Sequence, residues 1–154
     1  VGVSNHTPGQ TGALARYLKA GVLTTQPEFS PLATAPLFDG TLDRAMKHGV
    51  AVLAWSPLGQ GRLGDGDPRP GRMQAGDART DATKAALMVQ GDKYGVGIAA
   101  AAYAWIMAHP SQPLPIIGTN KLERLVATSK SANIQLERED WYGLWTAAKG
   151  HGIP

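Results

Sequence analysis

Short apolar runs along this chain alternate with longer stretches whose apolar residues recur at helical spacing, the pattern of βα units feeding a parallel sheet. Residues 1–4 ("VGVS") predict a first strand. Residues 8–21 predict a helix, with Leu14 and Leu18 one turn apart, Pro8 suited to its first turn and Gly21 as its stop. A second strand is predicted over 22–26 ("VLTTQ"). After a proline-containing turn, residues 35–49 read as a helix weakened by Gly40, with Leu42, Ala45 and Met46 as its inner stripe. Residues 50–55 ("VAVLAW") are the clearest strand, nearly all apolar as in a strand covered on both faces.

Residues 58–80 break the rhythm with clustered Gly, Pro, Asp and Arg and predict a long loop, of the kind that serves as a functional lid or stays disordered. Helices are predicted over 82–94 and 97–108, the second carrying Ile98, Ala101, Ala102, Trp105 and Ile106 on one face. A fourth strand follows at 114–117 ("LPII"). The helix predicted over 120–132 starts at Asn120 as cap, with Glu123 three residues on in the manner of a capping box. Trp141, Leu144, Trp145 and Ala148 line a last helix ending at Gly150. Four strand-helix units make half of an eightfold barrel, although this periodicity alone equally permits a small open sheet.

At 154 residues the chain suffices for one domain with a core, whereas a complete α/β barrel needs about 250 residues. The net charge of +3 is spread along the chain without a run of like charges, which gives no support to nucleic-acid or anionic-membrane binding. No apolar stretch approaches the roughly 18 residues of a membrane helix, and the N-terminus lacks the pattern of a signal peptide. With no cysteine and four scattered histidines, neither a disulfide framework nor a metal centre is expected. This composition fits a cytoplasmic protein.

Four stretches in register narrow the reading: "VGVSNHTPGQ", "TTQPEFSP", "VLAWSPLGQGRL" and "LPIIGTNKLERL". They resemble the aldo-keto reductase family, in the order and spacing of its fifth to eighth barrel strands. "AYAWIMAHP", "PSQPLPIIGTNKLER" and "WYGLWTAA" are similar to a bacterial branch of predicted oxidoreductases within it. The resemblance spans essentially the whole chain and implies an α/β fold, the C-terminal half of a (β/α)8 TIM barrel, as one partial domain over 1–154. Because the chain opens inside a strand and without methionine, the expectation is a fragment whose first four βα units lie upstream.

The resemblance also implies chemistry. Family members reduce carbonyls with NADPH, a Tyr supplying the proton with support from a Lys, an Asp and a His in the first half of the barrel. None of the four can be matched here, so no catalytic residue is assigned. Tyr17, Tyr94, Tyr103 and Tyr142 fall in helical patterns, and His48, His109 and His151 at helix ends or the C-terminus. What the resemblance carries over is the cofactor half. Ser4, Asn5 and Gln26 match the contacts to the nicotinamide carboxamide, for which a side chain that both donates and accepts is suited. Read alone, Ser4 and Asn5 better describe a turn capping the next helix, and it is the other motifs that reverse this reading.

Trp55 matches an aromatic stacked on the nicotinamide. Ser56, Leu58, Gln60, Gly61 and Arg62 match the loop around the pyrophosphate. Gly118, Thr119, Asn120, Lys121 and Arg124 match the adenosine 2′-phosphate site, a helix start with two cations beside it, which implies NADPH over NADH. Three departures stand out: His6 in place of Phe, Thr25 in place of Asn, which puts part of the carboxamide network in question, and Leu122 in place of a frequent Pro.

Two functions follow. One is a half of an NADPH-dependent carbonyl oxidoreductase acting on a small aldehyde or ketone; the other is a nucleotide-binding or interaction module without turnover. An unrelated phosphate-binding barrel enzyme is a weaker third. Cutting a barrel in half exposes two sheet edges, so the isolated chain is expected to be a marginal monomer that self-associates or pairs with the missing half-barrel.

Overall fold

The computed structural model describes residues 1–64 and 77–152. Four parallel strands, β1 (Gly2–Ser4), β2 (Thr24–Gln26), β3 (Ala51–Ala54) and β4 (Leu114–Pro115), form one sheet in chain order. The helices are α1 (Pro8–Ala15), α2 (Thr41–His48), α3 (Ala78–Tyr94), α4 (Ile98–Met107), α5 (Leu122–Ser129) and α6 (Arg138–Lys149). This is half of a (β/α)8 barrel, with helices on one face of the sheet and the barrel interior on the other.

Strand register sorts the residues by face. Val3 pairs with Thr25 and Thr25 with Val52, and all three are buried on the helix side. Gly2, Ser4, Thr24, Gln26, Ala51 and Leu53 take the opposite face, where none is fully buried. The expectation of a strand 50–55 covered on both sides is therefore corrected: β3 alternates, because half a barrel leaves the inner face open. Leu114, paired with Leu53, shares that face and is 56 % exposed.

The core lies between the sheet and its helices and is built from Phe29, Leu42, Val52, Leu63, Leu87, Trp105, Ile106 and Leu144. Every residue of α4 from Ile98 to Ile106 is buried, so the stripe read from its spacing understates it; the helix is covered all round by β4, α3 and α5 and by the short 3-10 turn Lys130–Asn133. Trp105 stacks on Trp141 of α6 at 5.1 Å, and each indole N–H donates to the other residue's carbonyl at 2.9 Å.

Several boundaries move. α1 stops at Ala15 rather than reaching Gly21, because Arg16 and Tyr17 turn back onto Ala13 and Leu14 and Tyr17 faces solvent with no apolar partner to extend the helix. Its start is a capping box, Thr7 with Gln10, that the sequence reading missed. The helix expected over 35–49 splits at Gly40, which adopts φ +81 and caps α2 after a 3-10 turn at Ala35–Leu37. Met46 lies outside its inner stripe, 45 % exposed. Asp77 caps α3 by accepting from the Thr80 N–H, so the helix begins inside the predicted 58–80 loop; residues 65–76 of that loop lie outside the described residues. The fourth strand is shorter than 114–117, and α5 is capped at Lys121, not Asn120, with no capping box from Glu123. Residues 130–132, expected as the end of that helix, belong instead to the 3-10 turn Lys130–Asn133. No described helix is long and apolar enough to cross a membrane.

Candidate functional site

A parallel sheet brings the C-terminal ends of its strands to one rim, and here that rim gathers Ser4 and Asn5, Gln26, Trp55 and Ser56, and the segment after Ile117. The Gln26 carbonyl organises it by accepting the Ser4 hydroxyl and the Asn5 backbone N–H, both at 3.1 Å. Asn5 Oδ1 then accepts the Trp55 indole N–H at 2.8 Å. These bonds fix polarity. With its proton committed, Ser4 Oγ faces outward as an acceptor, and with Oδ1 committed, the Asn5 amide presents its NH2 as a donor. An acceptor beside a donor is the complement of a primary carboxamide. His6 Nδ1–H donates to the Ser4 carbonyl at 3.0 Å, which sets its tautomer.

The rim is also where the backbone is strained. Among the described residues four non-glycines have positive φ, and three of them are Asn5 (54°), Ser56 (53°) and Gln60 (62°). Conformations of this kind cost of order 1–3 kcal/mol and persist where surrounding structure imposes them.

Residues 56–64 form a run of tight turns. Ser56 Oγ accepts the Gln60 N–H at 2.7 Å, and the N–H groups of Gly59, Gly61, Leu63 and Gly64 bond to carbonyls within the same loop. The loop's backbone donors are thus largely spent internally, and it offers side chains outward: the exposed Gln60 amide and the end of the Arg62 guanidinium, whose Nε holds the Gly59 carbonyl at 3.0 Å. Leu58, matched to the pyrophosphate loop, packs against the core, and Leu63, which the sequence reading passed over, is fully buried and pins the loop down. Arg62 also lies close enough to Asp77 to add to the lowering of that carboxyl, which comes first from the Thr80 backbone and side-chain hydrogen bonds.

After β4, Gly118 and Asn120 are exposed, and the Thr119 hydroxyl accepts the Lys121 N–H at 3.2 Å. α5 begins here without a side-chain cap, and a helix start of that kind presents unpaired N–H groups and partial positive charge. Lys121 and Arg124 flank it, both exposed and in no ion pair among the described residues.

Titratable groups away from the rim are engaged elsewhere. Lys93 of α3 bridges Glu137 and Asp140, Tyr94 donates to Asp140, and burial raises the Tyr103 hydroxyl above its usual range. Burial lowers His109, opposed by Asp43. A small cleft between α1 and α2, lined by His6, Thr11, Thr25 and Arg44, has room for little more than a water. No group of three residues able to hold a metal occurs among the described residues.

A family model described as the aldo/keto reductase family matches residues 1–146. A 6-dehydroglucose reductase of Novosphingobium aromaticivorans is 40% identical over 154 residues, covering 100% of this chain and 48% of the relative. Oxidoreductase YdhF of Escherichia coli is 37% identical over 155 residues, covering 99% and 48%. The chain thus spans about half the length of the curated relatives it matches. Among solved structures, a thermostable aldo-keto reductase superposes with a TM-score of 0.78 at 23% identity over 95% of this chain and 47% of its own length. The aldose reductase of Giardia lamblia follows with a TM-score of 0.72 at 22% identity, over 99% and 46%. The fold and the family match agree, and the chain belongs to the aldo/keto reductase family.

Proposed function

We propose that this chain holds the nucleotide in an NADPH-dependent carbonyl reductase. The observation that carries the reading is the hydrogen-bonded set Ser4, Asn5 and Trp55, an acceptor, a donor and a flat half-buried ring on one rim. When bound, NADPH supplies the hydride. Ser4 Oγ accepts from the carboxamide NH2 and Asn5 Nδ2 donates to its carbonyl, with Gln26 beside them, so one face of the ring is presented to substrate. Trp55 backs the other face and keeps water from it. Gln60 and Arg62 meet the pyrophosphate, and the start of α5 with Lys121 and Arg124 meets the 2′-phosphate.

The proton donor is assigned to the part of the relatives that this segment does not match. Relatives named 6-dehydroglucose reductase make an oxidised sugar the first substrate to try.

In the natural full-length protein, Arg124→Ala is expected to lower the NADPH-over-NADH affinity ratio by about tenfold or more, the scale of one charged hydrogen bond. An unchanged ratio overturns the 2′-phosphate assignment. A second reading, nucleotide binding without turnover, draws on the absence of a tyrosine from the rim among the described residues. Tight NADPH binding with no oxidation across an aldehyde and aldose panel would select it.

A further inference from the structure

Trp55 differs from the other tryptophans in how its indole is held. Trp105 and Trp141 give their N–H groups to backbone carbonyls, and Trp145 Nε1 is buried with no partner. Trp55 alone donates to a side chain, Asn5 Oδ1 at 2.8 Å, across a separation of fifty residues in sequence. The link joins the ends of β1 and β3 and passes over the end of β2 between them. Both partners are fixed at the backbone. The Asn5 N–H bonds to the Gln26 carbonyl at 3.1 Å, and Trp55 N–H bonds to the Pro27 carbonyl at 3.1 Å while its own carbonyl accepts from Phe29 at 3.3 Å.

Asn5 sits at φ 54, a conformation that asparagine tolerates better than most side-chain-bearing residues. With both main chains anchored, the indole N–H is the one polar handle on the ring, and its bond to Oδ1 selects the ring's rotamer. The same bond decides which end of the Asn5 amide faces outward.

We propose that Asn5 is a positioning residue for Trp55: its amide oxygen holds the indole in the plane against which the nicotinamide lies, and Asn5 therefore acts on the cofactor through the ring as well as by direct contact. The inference rests on the nucleotide reading above, yet the link itself exists without a ligand and is tested without one.

The test uses the full chain labelled with 15N at tryptophan, with Trp55→Phe identifying the Trp55 indole resonance. Asn5→Gly removes the amide while keeping a residue at ease with positive φ. It is expected to move that resonance to the solvent-exposed position and to speed its hydrogen exchange at least about tenfold, the scale of one lost hydrogen bond. Asn5→Asp, which keeps an acceptor at the same place, is expected to restore the protected resonance. A resonance unmoved in Asn5→Gly, or left unprotected in Asn5→Asp, overturns the proposal.

NADPH titration gives the second readout. If Asn5 acts through the ring, Asn5→Gly and Trp55→Phe each weaken binding and the double variant weakens it by less than the product of the two; simple multiplication overturns the proposal. A wild-type protein that binds no NADPH sinks the nucleotide reading instead, and leaves the resonance to decide the link.

Discussion

At Gly59, within the 56–64 turns, backbone and space both favour glycine. The residue has φ +56, and a Cβ there would stand 2.9 Å from Leu32 Cδ1. Gly59→Ala is expected to cost about 1–3 kcal/mol from the left-handed backbone and the crowding of a buried leucine. Thermal unfolding checks it, with a midpoint lowered by roughly 4 °C; an unchanged midpoint would mean that the loop simply relaxes. At this scale the sequence was informative where one residue type has one use. Gly21, Gly40 and Gly150 all stand at positive φ, and Trp55 and Asn5 were singled out individually. Their mutual hydrogen bond was not legible, since nothing in local spacing says that residues so far apart share a rim. The positive φ at Ser56 and Gln60 was equally hidden, because neither residue type demands that conformation.

Among the elements, α3 and α6 are joined by a polar clamp as well as by packing. Lys93 reaches Glu137 at 2.8 Å and Asp140 at 2.7 Å, Tyr94 donates to Asp140 and accepts the Glu137 N–H at 3.0 Å, and Gln90 donates to the Asp140 carbonyl at 2.6 Å. Arg79, in the first turn of α3, extends the junction by donating to the Ala148 carbonyl and, at 2.9 Å, to the Leu32 carbonyl. The Lys93 hydrogen bond and then that of Tyr94 hold the Asp140 carboxyl below its ordinary value of 3.8. A depressed carboxylate stabilises the fold above its unfolded pKa, and that contribution is lost as pH falls through the folded one.

Asp140→Asn is therefore expected to unfold a few degrees below the wild type at neutral pH, with the gap closing as the pH falls below the carboxyl's ordinary value of 3.8. Thermal melts across that range measure it, and a gap of constant size would place the effect in packing instead. Strands and helices were legible as alternating periodicities, but their ends were set by contacts no window contains. α1 ended early for want of a partner, and α3 began early because Asp77 found the Thr80 N–H.

For the molecule as a whole, the open face of the sheet is the governing fact. Leu53 and Leu114 lie side by side on it, and Ile116 and Ile117 beyond β4 are each about two-fifths exposed. Apolar surface and parallel edges of this kind favour pairing with another sheet. The 154-residue chain is expected to sediment as more than a monomer, with an unfolding midpoint that rises with protein concentration. Leu114→Lys should shift it toward monomer, and a concentration-independent monomer in both forms would contradict the expectation. Half-barrel architecture followed from motif order, whereas the one-sided burial of β3 did not, since an apolar run reads alike whether one or both of its faces are covered.

The strand alternation has a consequence for how such a site tolerates change. Val3 turned toward the helices obliges Ser4 to turn toward the open face of the sheet, and the pairing of Val3 with Thr25 and Ser4 with Gln26 carries that obligation to the next strand. The hydrophobic demand of the helix layer is thus the gauge that aims the polar ends of the strands. Inserting one residue before Ser4 would present the polar chain to the helices and swing Asn5 away from the indole, dismantling the recognition surface while leaving the composition of the chain almost untouched.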